Sequence, residues 1–214
     1  FSIDNDTYSN EDRYKYAIVN KETAIAVLAD GMGGLSLGDI AAELVSTSIQ
    51  EYIINHQPDK PDNSMLLDAL NQADKNLEKV SLDLKSNMGA AVAVVLISKG
   101  TLYATWQGNV RIYLYRDDIL SILTNDHILD IGYGQTALSR CIKGSGLRDD
   151  IPTIIHELKV NDKIFLCSDG FYKDAEKYLI HRDFDSIKGN VIHPEDDATL
   201  IEISFYSCYC KHQD

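Results

Sequence analysis

Four apolar stretches follow one another between residues 90 and 124: AAVAVVLIS, TLYATWQ, RIYLYR and ILSILT, with only KG, GNV and DD between them. Connections this short favour antiparallel pairing, because a parallel return needs a crossover of about a dozen residues or more. KG and DD read as hairpin turns. The same arrangement occurs earlier, where YKYAIVN (14–20) and TAIAVLA (23–29) flank the turn KE. Further strands are expected at TIIHEL (153–158), KIFLCS (163–168) and TLIEISF (199–205). From Ser36 the period changes: Ile40, Leu44, Val45, Ile49, Tyr52 and Ile53 predict an amphipathic helix to about His56. Leu66, Leu70, Ala73, Leu77 and Val80 carry a second helix from Met65 to Leu84, and a third is expected to begin near Asp174. Residues 125–150 read as a looser region. Long helices fall between groups of strands instead of after every strand, so the class is α+β and not doubly wound. Two antiparallel sheets with helices outside them would bury both patterns.

The length of 214 residues suits one well-cored domain, and no repeat, low-complexity tract or linker divides it. A single domain over 1–214 is expected. The net charge of −13 argues against nucleic acid and against an anionic membrane surface. No apolar run approaches a membrane span of about 18 residues. Four cysteines are too sparse for a disulfide framework, which favours a reduced, cytoplasmic setting. Cys141 and Cys167 read as packing residues. Cys208, Cys210 and His212 lie close together, but no second cysteine pair completes a tetrahedral metal site.

Acidic residues sit where strands end. Asp30 follows the strand TAIAVLA and opens DGMGG, in what reads as a turn, and Asp169 follows KIFLCS and precedes a glycine. Asp196 and Asp197 stand before the last strand, and Glu11 and Asp12 stand before the first. If these ends meet, the carboxylates crowd one volume, and either their pKa values rise or cations neutralise them. Hard divalent ions with oxygen ligands, Mg²⁺ or Mn²⁺, are the natural partners, and two of them would permit hydrolysis of a phosphoryl group. The glycines after Asp30 let backbone approach a metal and leave room for a phosphate. The bland alternative is a set of unrelated turn and cap aspartates.

The segments NED (10–12), ADGMGG (29–34), SDGF (168–171) and DDAT (196–199) stand in the order and rough spacing of the metal-dependent protein serine/threonine phosphatases, the type 2C or PPM family. LSRCIKGSG and QGNVRIYLYR also resemble segments of that family, and the DGMGG form resembles its bacterial members. The resemblance implies a four-layer αββα sandwich with a binuclear Mn²⁺ or Mg²⁺ centre between two antiparallel sheets. It implies that Asp30 bridges both ions, that the Gly31 carbonyl binds one, and that Asp169 and Asp196 complete the first site. Glu11 and Asp12 would touch metal directly or through water, with Asp30 and Asp12 serving catalysis. The implied activity is hydrolysis of phosphoserine and phosphothreonine by attack of metal-activated water. The implied partner is a phosphoprotein, in opposition to a serine/threonine kinase and with the enzyme a monomer.

The chain also departs from that pattern. The family's phosphate-binding arginine is Thr7 here. Arg13, the nearest basic residue, and Gly33 are the candidates for holding substrate. Two positions that serve a third, weaker metal in the family are Asn109 and Lys173, with Asp174 one step displaced, so two ions are expected and no stable third. These losses keep a second function in view: a metal-binding regulatory module that recognises phosphoproteins with little or no turnover. A purely structural acidic domain is the remaining alternative.

Overall fold

The computed structural model describes residues 2–3, 10–32, 37–56, 61–133, 135–148, 150–181 and 196–206. Two five-stranded sheets face each other. In the first, β2 (Asp12–Asn20), β3 (Thr23–Gly31), β4 (Ala90–Ser98), β5 (Thr101–Gln107) and β10 (Thr153–Glu157) pair in the order β10-β5-β4-β3-β2. The second holds β1 (Ser2–Ile3), β6 (Arg111–Arg116), β7 (Ile119–Ile122), β11 (Lys163–Cys167) and β12 (Ala198–Ser204) in the order β1-β12-β11-β6-β7. Every pairing is antiparallel. The KG and DD hairpins are as expected, with Lys99, Gly100, Asp117 and Asp118 all at positive φ.

Alternation along each strand builds the layers. On β3, Ile25, Val27 and Ala29 face the helices α1 (Gly38–His56) and α2 (Asn63–Leu84), joining Val45, Ile49, Leu66, Leu70 and Leu77 in one core. The alternate residues Ala26 and Leu28 join Val95, Leu102, Trp106, Ile112, Ile164 and Leu166 in the core between the sheets. Tyr113, Phe165 and Cys167 on the outer face of the second sheet pack on Phe171, Ala175 and Leu179 of α3 (Asp169–His181). The order helix, sheet, sheet, helix is thus the expected αββα sandwich. Strand β4 is buried along its whole length, because helices cover one face and the second sheet the other. Among the described residues no helix is long and apolar enough to cross a membrane.

The boundaries differ from expectation in three places. Strand β3 does not stop at Ala29; its ladder continues as Asp30↔Ala91 and Gly31↔Ala90, so Asp30 lies in a strand and not in a turn. Helix α3 begins at Asp169, five residues before the expected start. The stretch read as loose holds a hairpin, β8 (Ile128–Gly132) with β9 (Gln135–Leu138). It escaped notice because most of it is exposed, so it shows no buried stripe. Ser36, expected to open α1, lies outside the described residues.

The described residues leave part of the inter-sheet face uncovered. Tyr14, Tyr16 and Ile18 of edge strand β2 share that face, yet they border an open groove of about 540 Å³ against β12. Leu28, on the same face of the neighbouring strand, is fully buried. Leu28→Ala is expected to cost about 2–5 kcal/mol in denaturant unfolding, through lost transfer energy and an unfilled cavity. Tyr16→Ala is expected to cost under about 1 kcal/mol, as for other exposed positions. Equal losses for the two variants would contradict this layering.

Candidate metal centre

The first two acids are placed by one ladder. Asp12 and Asp30 are direct cross-strand partners of β2 and β3, so their side chains emerge on the same face, close to one another. That face is the inter-sheet one, set by parity with Ala26 and Leu28. Asp169 arrives from the other sheet, at the first turn of α3, directly after β11 and Ser168. Asp196 and Asp197 lead into β12, the strand beside β11.

Glycines allow these segments to touch. A Cβ on Gly170 would come within 2.4 Å of the Asp197 carbonyl oxygen and 2.8 Å of that of Asp196, so only glycine lets α3 begin here. A Cβ on Gly31 would meet the Gly38 carbonyl oxygen at 2.4 Å. Side chains complete the assembly. The Ser168 hydroxyl donates to Asp12 Oδ2 at 2.8 Å and accepts from the Thr199 amide at 2.8 Å. The Glu11 amide donates to Asp197 Oδ2 at 2.6 Å, which ties the strand leading into β2 to the strand leading into β12.

Asp30, Gly31, Asp169 and Asp196 line an open cleft of about 480 Å³, with Met32, Ala91, Asn109 and Lys173. Its far wall is the β8–β9 hairpin, through Ile128, Thr136, Ala137 and Leu138. Asp12 lies behind this surface, buried, with Oδ1 lacking any partner among the described residues. Glu11 stands aside, its carboxylate packed on Gly38 at the start of α1.

Crowding disturbs these acids as repulsion requires. Asp30 titrates well above an ordinary aspartate, first because it is desolvated and then because Asp12, Asp169, Asp196 and Asp197 surround it. Asp12 is pushed up to about 7, chiefly by burial, with hydrogen bonds from Thr199 and Ser168 working against that shift. Asp196 and Glu11 are raised too, again by burial first. Asp169 has a counter-charge at hydrogen-bonding distance. Lys173 Nζ donates to its Oδ2 at 2.8 Å, one helical turn on, and Asn109 Nδ2 donates to the same oxygen at 2.9 Å.

The donor set fits hard divalent cations. It is made of carboxylate oxygens, it lacks soft ligands, and it contains a buried oxygen with no partner and a glycine that brings backbone close. Among the described residues no three of the acids have closed into a finished coordination shell. Asp169 Oδ2 accepts from Lys173 Nζ.

The structure brings together Asp30, Gly31, Asp169 and Asp196, with Asp12 directly behind them. Arg13 is not among them. Odd residues of β2 face the helices, and the Arg13 guanidinium donates to the Asn10 and Asp12 carbonyls at 2.6 and 2.8 Å, near Asp39 and Glu43 of α1. It does not face the cleft and is not in position to hold a substrate phosphate there. Gly33, Thr7, Cys208, Cys210 and His212 lie outside the described residues. Asp174 is exposed and forms no part of the lining. Sequence reasoning passed over Ser168 and Thr199, although a serine directly before Asp-Gly was a usable signal, and over the hairpin wall.

Comparison with known proteins follows the same lines. The family model for protein phosphatase 2C matches residues 4–200. A serine/threonine protein phosphatase of Mycobacterium tuberculosis, PstP, is 26% identical over 167 residues, covering 68% of this chain and 31% of that protein. The chain therefore spans about a third of that relative's length. A crystal structure of the PstP catalytic domain in complex with two manganese ions superposes with a TM-score of 0.78 at 20% identity, covering 97% and 96% of the two chains. The serine/threonine phosphatase Stp1 of Staphylococcus aureus gives 0.82 at 17% identity, covering 97% and 94%.

The raised carboxyls make a pH prediction. Unfolded aspartates titrate near 3.9, so between about pH 4 and 7 the folded metal-free protein binds more protons than the unfolded chain. Its stability should therefore fall as pH rises through that window. The metal-free melting temperature is expected to be higher at pH 5.5 than at pH 8, and Asp12→Asn should flatten the difference. A stability that rises with pH, or a slope unchanged in Asp12→Asn, would remove Asp12 from the repulsive cluster.

Proposed function

The chain belongs to the protein phosphatase 2C family, and from that premise we propose that it hydrolyses phosphoserine and phosphothreonine in proteins at a two-cation centre. The observation that carries the reading is the cross-strand pair of buried Asp12 and cleft-lining Asp30, whose mutual repulsion a proton or a cation relieves. Asp30, Asp169 and Asp196, with the Gly31 carbonyl, would hold two Mn²⁺ or Mg²⁺ ions, and Asp12 and Glu11 would support them from behind and beside. Bound ions supply Lewis acidity that neutralises phosphoryl charge and brings water within reach of deprotonation near neutral pH.

The chain's own residues do the rest. Ser168 and Thr199 fix the orientation of Asp12, leaving Oδ1 free to accept a ligand or a proton. The β8–β9 hairpin supplies a wall of the cleft through Ile128, Thr136, Ala137 and Leu138. Lys173 and Asn109 both donate to Asp169 Oδ2, which leaves that oxygen less able to serve a further cation, so a stoichiometry of two is expected. Residues 1–214 act as one catalytic domain and a monomer, on phosphoproteins made by a serine/threonine kinase.

One observation favours a second reading. Asp169 is already satisfied by Lys173 and Asn109, which weakens its hold on a metal and suits a module that recognises phosphoproteins without turnover. Hydrolysis of p-nitrophenyl phosphate, measured beside calorimetric Mn²⁺ binding, separates the two. The expected outcome is Mn²⁺-dependent turnover with about two ions bound, lost by about 100-fold or more in Asp30→Ala, since even outer partners of a metal cost about 10–100-fold. Metal binding with no turnover in either Mn²⁺ or Mg²⁺ would leave the second reading standing and the first refuted.

A further inference from the structure

Beside the acidic cleft lies a pocket of opposite character. It has a volume of about 210 Å³ and is lined by Gln107, Leu138, Arg140, Lys143, Ser145 and Arg148, among others. In a chain of net charge −13, the stretch from Leu138 to Arg148 carries three cations and no acid. Leu138 belongs to the walls of both pockets, and Gln107 stands two residues before Asn109 of the cleft. The two spaces are neighbours that share one side chain.

The pocket is built, not a chance gathering of surface lysines. Its loop is pinned from beneath by Asp74 of α2, a buried carboxylate whose oxygens accept the amides of Lys143, Gly144 and Gly146 at 3.3, 2.8 and 2.8 Å. Gly144 lies so close to Glu78 of α2 that a Cβ there would approach its backbone to 2.5 Å. The cations are therefore held on a fixed backbone. Arg140 is engaged by Asp150, but Lys143 and Arg148 form no ion pair or side-chain hydrogen bond with any described residue. Gln107 adds a second observation. It is only 3% exposed, and its Nε2, a donor, finds no acceptor among the described residues. Two unspent cations and an unspent buried amide on one pocket are a demand for an anion.

We infer that this pocket is an anion subsite, which takes a second acidic side chain or phosphate borne by the phosphopeptide whose phosphoseryl group enters the cleft. The inference rests on the phosphatase reading for the group in the cleft. It adds the class of substrate: peptides with an acidic residue near the phosphoserine. The two pockets share Leu138, and an extended chain advances about 3.3 Å per residue, so a few residues of one peptide would reach from one to the other. The need for such a subsite follows from charge. A protein this acidic repels an acidic peptide at long range, but screening confines that repulsion to about 8–10 Å, within which Lys143 and Arg148 decide the sign. Next to Ile128 of the cleft wall, the His127 imidazole is held below its usual pKa by burial first and Arg140 next, with Asp150 and Asp126 opposing the shift and Arg148 adding a smaller push.

Two phosphoserine peptides decide the matter, one with glutamates at the flanking positions and one with alanines there. The wild type and the double variant Lys143→Gln/Arg148→Gln are each assayed for peptide turnover, for p-nitrophenyl phosphate turnover, and for peptide affinity by fluorescence anisotropy. The acidic peptide should be preferred about ten-fold by the wild type, through KM and not kcat, and the preference should fall below about two-fold in the variant. Turnover of p-nitrophenyl phosphate should be the same in both, since neither residue touches the cleft. Anisotropy keeps the test alive if nothing is hydrolysed, because tighter binding of the acidic peptide, lost in the variant, would support the subsite while refuting the phosphatase reading. Equal affinity for the two peptides, or a preference that survives the double substitution, would overturn the inference. Inorganic phosphate that occupies the pocket without altering the KM of the acidic peptide would overturn it as well, showing a free-anion site instead.

Discussion

Two carboxylates facing each other across a β-ladder are the interaction on which the rest of this molecule turns. Asp12 and Asp30 cannot both be ionised at low cost on adjacent strands in a desolvated cleft, and strand register leaves neither free to turn away. The strain is tolerable because the surrounding sandwich is well anchored: β4 is buried on both faces, and three apolar cores flank the two sheets. The fold holds the acids together against their repulsion.

Much of this was legible in the chain, and the misses have physical reasons. Short connections between apolar stretches gave antiparallel sheets, and the change of period at Ile40 and Leu66 gave two helices with nearly correct ends. Parity alone would have turned Arg13 away from the cleft, because Asp12 and Arg13 are consecutive on one strand and must face opposite layers. Proximity in sequence was the wrong guide there. The turn assigned to Asp30 failed for another reason. Glycine signals a turn locally, but Gly31 is required by the approach of the Gly38 carbonyl, a contact that exists only once α1 has packed. The early start of α3 is of the same kind, since Gly170 answers to the backbone of Asp196 and Asp197. The β8–β9 hairpin had no chance of being read, because a mostly exposed ribbon leaves no alternating stripe.

Charge is distributed with more economy than the composition implies. The few cations near the site each have a distinct posting. Arg13 holds β2 to α1, and Lys173 answers Asp169. Arg111 binds Asp126 and Glu176 and lies 3.7 Å over the Tyr172 ring, which fixes α3 against β6. Lys143 and Arg148, beyond the hairpin, form no ion pair with any described residue, although Arg148 lies within electrostatic reach of Asp150. An overall acidic surface and a locally basic pocket are therefore compatible, and together they give the cleft an electrostatic direction along which a substrate chain can be laid.

The strand order also sets a schedule. The acids of the cleft stand at positions 12, 30, 169 and 196, and β12, which supplies the last of them, is inserted between β1 and β11. A growing polypeptide can complete α1, α2 and the sheet from β2 to β5 long before residues 196–204 have left the ribosome. Until they do, Ser168 lacks the Thr199 amide and Glu11 lacks the Asp197 carboxylate. The crowded acids are thus assembled only after residues 196–204 have emerged, when nearly all of the framework needed to restrain them already exists.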